Sequence, residues 1–223
     1  MINLPQQAIY GENERSDVRP LLPTDAKSAL DVGCGAGGFG ITLRRALGDS
    51  ARIIGVEAVP HQATIAREGH GFDEVLEGYF PDVLACRSDT FDLITFNDVL
   101  EHMLDPEGVL QKTRRLLQPS GRVVAIIPNV QYVAVVLRLL GGRWDYSDTG
   151  ILDRTHVRFF TRKTMMEMFD RAGYRVESCV GANGFDKFWR TDPSIHRRFA
   201  KLALRLALRD SRHVHFIIVA SIK

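Results

Sequence analysis

Eight residues, Asp31-Val32-Gly33-Cys34-Gly35-Ala36-Gly37-Gly38, place four glycines within six positions, between a short apolar run and a helix-like one. A backbone that turns sharply and then lies against a ligand needs positions without a Cβ. A plain strand-to-helix turn needs fewer of them. Glu57 follows about 20 residues later, at the end of the next apolar run, where an acid can accept both hydroxyls of a ribose. Gly33-x-Gly35-x-x-Gly38 also satisfies the dinucleotide fingerprint. Glu57 cannot separate a nicotinamide dinucleotide from another adenosyl cofactor, because both carry the same ribose. Asp31 separates them better: a carboxylate there suits a cationic amino-acid cofactor and repels a pyrophosphate.

Proton-transfer chemistry has two histidine candidates. His102 ends the run Asn97-Asp98-Val99-Leu100-Glu101-His102. It reads either as a base or as a buttress of the turn at Asp105-Pro106. His156 lies among Asp153, Arg154 and Arg158, as a base oriented by Asp153 or as a loop anchor. Trp144, Asp145 and Tyr146 suit an acceptor pocket, since aromatic faces pack on rings and a carboxylate binds hydroxyls. Cys34 reads as a small packing residue of the loop, with no base beside it in sequence. No metal site is expected. The three cysteines, Cys34, Cys86 and Cys179, form no zinc spacing, and His213 and His215 alternate along a strand without visible further ligands.

These residues need a scaffold that lines up strand ends. Strand-like and helix-like segments alternate from Lys27: strands at Ser28–Val32, Arg52–Val56, Glu74–Leu76, Phe91–Phe96 and Arg122–Ile127, and helices at Phe39–Leu47, Pro60–Arg67 and Pro106–Leu117, the last stopped by Pro119-Ser120-Gly121. Such alternation predicts parallel strands with helical crossovers. Thr161 caps a further helix to Ala172, and Tyr174–Val180 and His213–Ile222 then read as an antiparallel pair at the sheet edge, flanking a helical insertion.

The glycine loop, Glu57, the run through Leu100-Glu101-His102, and Leu117-Gln118-Pro119-Ser120-Gly121-Arg122 together resemble the class I S-adenosylmethionine-dependent methyltransferases, over roughly residues 27–222. The resemblance implies a doubly wound, Rossmann-like α/β fold, with a seven-stranded, mostly parallel sheet and an antiparallel C-terminal edge strand. It implies a lead-in or lid at 1–26, a methyltransferase domain at 27–223, an acceptor-loop insertion at about 129–161 and a helical insertion at about 184–211. S-adenosylmethionine would contact Asp31, Gly33, Cys34, Gly35 and Gly37 along the loop. Glu57 would meet the ribose and Ala58 the adenine, with Asn97 and Asp98 at the methionine end. Gly78-Tyr79 stands where the family carries Gly-Asp, so Tyr79 or Phe80 would stack on the adenine instead. Tyr10, with Arg19-Pro20, is similar to the family's lead-in. Gly141–Tyr146 and Leu152–Thr161 look like small bacterial methyltransferases of surface-polysaccharide and glycan biosynthesis, which implies O-methylation of a sugar or glycan intermediate. Methylation of a quinone precursor or an amine, and a non-catalytic cofactor-binding protein, are the alternatives.

The formal net charge of +2 and the 45% apolar composition are those of a globular domain, with no global pull toward nucleic acid. The start of the chain lacks a secretory pattern, and Val130–Leu140 is too short to span a bilayer, so the reading is cytoplasmic. The segment 194–209 has helical apolar spacing with Arg198, Lys201, Arg205 and Arg209 around it. That fits a solvated insertion or peripheral contact with the inner membrane face. The expected partner is a small-molecule or glycan acceptor; a homodimer stays open.

Overall fold

The computed structural model describes residues 14–69, 71–183 and 209–223. Tyr10, nearly all of the insertion at 184–211 and all of 194–209 except Arg209 lie outside these residues.

Seven strands form one sheet: β1 (Ser28–Val32), β2 (Arg52–Glu57), β3 (Glu74–Glu77), β4 (Phe91–Asn97), β5 (Leu117–Pro128), β6 (Tyr174–Ala182) and β7 (His215–Ile222). Their order is β3-β2-β1-β4-β5-β7-β6. Strands β1 to β5 are parallel, and β7 runs antiparallel to both β5 and β6. The expected antiparallel pair does close this side of the sheet. Within it β6 takes the outermost place, and β7 sits one strand in, between β5 and β6.

Both faces are buried, and the alternation of side chains shows why. Val123, Ala125 and Ile127 of β5 and Phe216, Ile218 and Ala220 of β7 face one core. Val124 and Ile126, with Ile217 and Val219, face the other. Near-continuous apolar runs are what a sheet covered on two sides requires. The first core receives Leu110 from α3 (Pro106–Thr113) and Met165, Met168 and Phe169 from α5 (Arg162–Arg171). The second receives Phe39 and Leu43 from α1 (Gly38–Leu47), together with Val18 and Leu22 of the lead-in. Helix α2 (Pro60–Glu68) covers β2 and β3 through Ala63 and Ala66, which pack with Val75.

Two boundaries depart from the sequence reading. Helix α3 stops at Thr113, because Leu117 is already in register with Phe91 and the Leu116 carbonyl accepts the Phe91 N–H at 2.8 Å. Pro119-Ser120-Gly121 therefore lies inside an irregular start of β5 and does not terminate the helix. The apolar stretch after β5 forms α4 (Val133–Leu140). Among the described residues no helix is long and apolar enough to cross a membrane. Thr161 caps α5 as expected, its side chain accepting from the Thr164 N–H.

This topology places the carboxyl ends of β1, β2 and β4 side by side. The chain runs outward from β1 through β2 to β3 on one side and then crosses back to β4 on the other side of β1, which opens a crevice at that point.

Candidate active site

The glycine loop leaves β1 with backbone that side chains rarely tolerate: φ is +69° at Gly33, +54° at Gly35 and +94° at Gly37, the residue that caps α1. At Gly33 a Cβ would also come within 2.6 Å of Val99 Cγ2. The Gly33 and Cys34 amides both donate to the Val56 carbonyl, at 2.8 and 3.0 Å, which ties the loop to the end of β2. Cys34 is buried against Gly55, and burial pushes its thiol well above the ordinary range. That is the state of a packing residue and not of a nucleophile.

Glu57 is buried at the end of β2, and its two oxygens accept from the Gly35 and Val59 amides, each at 2.8 Å. The carboxylate is thus fixed at the loop. Ala58 follows it, half-buried. The Gly78 amide donates to the Glu57 carbonyl at 2.9 Å, bringing the end of β3 to the same edge. Of the two aromatic residues there, Phe80 turns inward, edge-on to Phe96 at 5.9 Å, while Tyr79 stays 73% exposed.

Asp31 lies on β1 with 1% exposure and accepts from Thr95 Oγ1 at 2.6 Å and Asn97 Nδ2 at 3.2 Å. Burial outweighs these donors and lifts its carboxyl to about 7. Asn97 Oδ1 is buried without a hydrogen-bond partner. An acceptor left open beside a buried carboxylate suits the ammonium end of an amino-acid cofactor.

Asp98 follows, with φ +53°. It accepts from Arg15 Nη1 at 2.6 Å and lies 3.4 Å from His215 Nε2. The lead-in therefore reaches the crevice through Arg15, a residue that no motif singles out. Thr42 Oγ1 reinforces this by donating to the Glu14 carbonyl.

The loop after β5 leaves and returns at one point. The Val130 amide donates to Phe160 O at 2.9 Å, and Asn129 and Phe160 form a bridge. Its tip is held over β4 by the Glu101 carbonyl, which accepts from the Val157 and Arg158 amides at 2.9 and 3.0 Å. The two candidate histidines consequently meet: the rings of His102 and His156 stand edge to face at 4.7 Å. His156 Nδ1 is held by the Ile151 carbonyl at 3.0 Å. Of the two readings of His156, the contact of Nδ1 with a backbone carbonyl is that of a loop anchor; the Asp153 carboxylate accepts from the Thr155 N–H and Oγ1–H at 2.8 and 2.7 Å, and Thr155 in turn touches His102 Nδ1. Burial and the neighbouring His156 lower the pKa of His102. Glu101 is buried at 1% exposure, with Oε1 3.8 Å from His156 Nε2, and the three residues each bring a ligand-type atom within 4.8 Å of the others. Burial, and then Asp98, raise its carboxyl well above the usual range.

Trp144 stacks edge-on with Phe159 at 5.2 Å, and Phe159 lies 6.3 Å from His156. Tyr146 is half-exposed on the same aromatic cluster, and Asp145 is paired at the surface with Arg143 at 2.7 Å. The acceptor candidates thus adjoin the histidine pair through Phe159.

Residues 12–179 match the family model described as a methyltransferase domain. The mitochondrial ubiquinone biosynthesis O-methyltransferase of Bos taurus is 26% identical over 204 residues, covering 86% of this chain and 54% of the bovine one. The ubiquinone biosynthesis O-methyltransferase of Cereibacter sphaeroides is 30% identical over 141 residues, 62% of this chain and 56% of that one. The chain spans about half the length of these relatives. Among solved structures, a SAM-dependent methyltransferase from Archaeoglobus fulgidus superposes with a TM-score of 0.68 at 15% identity, over 92% of this chain and 91% of the other.

Proposed function

Since the chain belongs to the methyltransferase domain family, with S-adenosylmethionine as its cofactor, we propose that it O-methylates a phenolic hydroxyl of a small molecule of the quinone-precursor class. The acceptor class is supported by the relatives' names; none of those reported carries a glycan acceptor in its name, so the sugar hydroxyl gives way to the phenolic alternative.

One observation carries the enzymatic reading. Buried carboxylates on β1 and β2, Asp31 and Glu57, flank a glycine loop, and a separate polar cluster of His102, His156 and Glu101 stands at the end of β4. The first set holds a cationic adenosyl group; the second handles an acceptor's proton. When bound, S-adenosylmethionine supplies a methyl already activated on a sulfonium. The protein's contribution is then alignment and deprotonation. Glu57 fixes the ribose, Asp31 and Asn97 Oδ1 take the ammonium end, and Trp144 and Phe159 wall the acceptor side.

The test is transfer of a deuterated methyl group from S-adenosylmethionine to a panel of catechol, monophenol, amine and sugar acceptors, read by mass spectrometry. Catechols or phenols should gain the label; labelling confined to sugars or amines would refute the acceptor class.

A further inference from the structure

His215 stands apart from the glycine loop and from the histidine pair. It opens β7, opposite Pro128 at the end of β5 and Ala182 of β6, so the topology carries it to the crevice end of the sheet. Its Nδ1 is buried without a hydrogen-bond partner. On the other side of the ring, Nε2 lies 3.4 Å from Asp98 Oδ1, an oxygen that is likewise buried without a hydrogen-bond partner. Asp98 is fixed twice: its amide donates to the Ile126 carbonyl at 3.1 Å, and its other oxygen accepts from Arg15 Nη1 at 2.6 Å. Its φ of +53° is a left-handed conformation that a non-glycine residue keeps only where its surroundings over-determine it, and such residues gather at functional sites.

A carboxylate can only accept, so Nε2 of His215 carries the imidazole proton and Nδ1 keeps a lone pair. His102 and His156 have the opposite arrangement. Thr155 Oγ1 gives its only proton to Asp153, so toward His102 Nδ1 both it and the Thr155 carbonyl accept. His156 Nδ1 faces the Ile151 carbonyl. Both rings thus use an Nδ1–H to tie down the insertion, whereas His215 makes no such tie. An imidazole with a carboxylate at one nitrogen and a free lone pair at the other is arranged as a general base with its orienting acid. The 3.4 Å approach is long, as such contacts are before substrate tightens them. Burial lowers the pKa of His215 against an opposing Asp98; Arg15 and His156 lower it further, and Asp17 raises it. The ring is therefore neutral at pH 7 and able to take a proton.

We propose that His215 Nδ1 is the general base toward the acceptor hydroxyl, with Asp98 and Arg15 as positioning residues: Arg15 fixes the carboxylate, and the carboxylate fixes the ring. The inference rests on the O-methyltransferase reading and names the atom to which the acceptor's proton first goes. The acceptor O–H bond breaks, and its proton bonds to Nδ1. The freed oxygen pair forms the O–CH3 bond as the CH3–S bond breaks, and sulfur keeps that second pair as a neutral thioether. The imidazolium, balanced by Asp98, then releases the proton to solvent. Arg15 belongs to the lead-in, so the base is complete only with that segment docked, as Val18 and Leu22 hold it.

One test needs no acceptor. In 15N-histidine NMR of the full-length protein at pH 8 with S-adenosylhomocysteine, His215 should show the Nε2–H tautomer, and His102 and His156 the Nδ1–H tautomer. An Nδ1–H tautomer or a charged ring at His215 overturns the proposal. The other test follows methyl transfer to catechol and to phenol at saturating S-adenosylmethionine. His215→Gln should lower kcat about 100-fold or more, with S-adenosylhomocysteine affinity unchanged. Asp98→Asn should lower kcat roughly tenfold and move the acidic limb of its pH profile to lower pH, because the imidazolium loses its balancing charge. A limb that stays in place rejects the orienting role. Should His215→Gln lose S-adenosylhomocysteine binding, Asp98→Asn and the wild-type tautomer decide. Labelling that survives His215→Gln within about threefold overturns the base and leaves the acceptor class standing. Labelling of neither phenol removes the acceptor class, and the base with it.

Discussion

Asp31→Asn should make the cofactor-free protein more stable and the cofactor bind less well. In the folded chain the Asp31 carboxyl is raised from 3.8 to about 7, chiefly by burial, against donation from Thr95 and Asn97. A raised value means that the folded chain holds this proton more tightly than the unfolded one. The stabilising contribution is complete below pH 3.8 and is lost as pH climbs through about 7. A shift of that size corresponds to about 4 kcal/mol opposing the fold above neutrality, an upper figure because the site can relax. At pH 8 the asparagine variant should therefore melt higher, on the order of 5–10 °C for a chain of this size. Below pH 5 the two proteins should converge. Binding runs the opposite way, since a cationic cofactor pairs with the carboxylate and not with the acid. The wild-type dissociation constant should rise by up to about tenfold per pH unit below 7, and the variant should bind about 10–100-fold more weakly at pH 8. Glu101, raised in the same direction, and the cofactor's own amine also titrate. The variant retains both, so the ratio of the two proteins isolates Asp31. Calorimetry and thermal melts between pH 5 and pH 8 give all four quantities. A ratio that stays flat from pH 6 to pH 8, or a variant no more heat-stable than wild type at pH 8, would refute the reasoning.

Glu57→Gln keeps the side-chain shape but removes the charge fixed by the Gly35 and Val59 amides. S-adenosylhomocysteine should then bind about 10–100-fold more weakly by calorimetry, and unchanged affinity would take Glu57 out of the ribose site. Gly33→Ala meets both φ +69° and Val99 Cγ2 at 2.6 Å. It should cost about 1–3 kcal/mol in denaturant titration, and adding Val99→Ala should recover only part, because relieving the clash leaves the backbone strain. Trp144→Ala opens the aromatic wall shared with Phe159. The acceptor's kcat/KM should fall roughly tenfold with cofactor affinity unchanged; a change confined to cofactor binding would place Trp144 elsewhere.

How much of this was legible in the sequence depends on how local each determinant is. Strand β1, the glycine loop and Glu57 could be read directly, because an apolar run, missing side chains and an acid at a fixed distance are properties of one continuous segment. The end of α3 could not. Helical spacing continues to Leu117, but pairing with Phe91 claims that residue for β5, a tertiary effect overriding a local pattern. The position of β7 was hidden for the same reason: two consecutive strands imply a pair, while the partner that the second takes on its other side is decided by β5. Arg15 carries no motif at all. It matters only because the lead-in packs Val18 and Leu22 under the sheet, which leaves the guanidinium beside Asp98.

The histidine pair shows the same limit at the level of chemistry. His102 and His156 read as rivals for one role, since 53 residues separate them and each has a plausible local task. Folding makes them partners. The Glu101 carbonyl grips the amides of Val157 and Arg158, which swings His156 over the carboxylate of that same residue. Glu101 thus acts twice, its backbone anchoring the insertion and its side chain lying buried beside His156 without a hydrogen-bond partner. Nothing in a run of three residues, Leu100-Glu101-His102, distinguishes a solvated acid from one at 1% exposure. Burial without a partner is the signal, and it exists only once the insertion has returned to the sheet. Asp153 follows the same logic: the turn brings its carboxylate to Thr155 and through it to His102, a link that its place beside His156 in sequence does not show. Residues that are neighbours along the chain share a turn; those that share a reaction are set by where the loop lands.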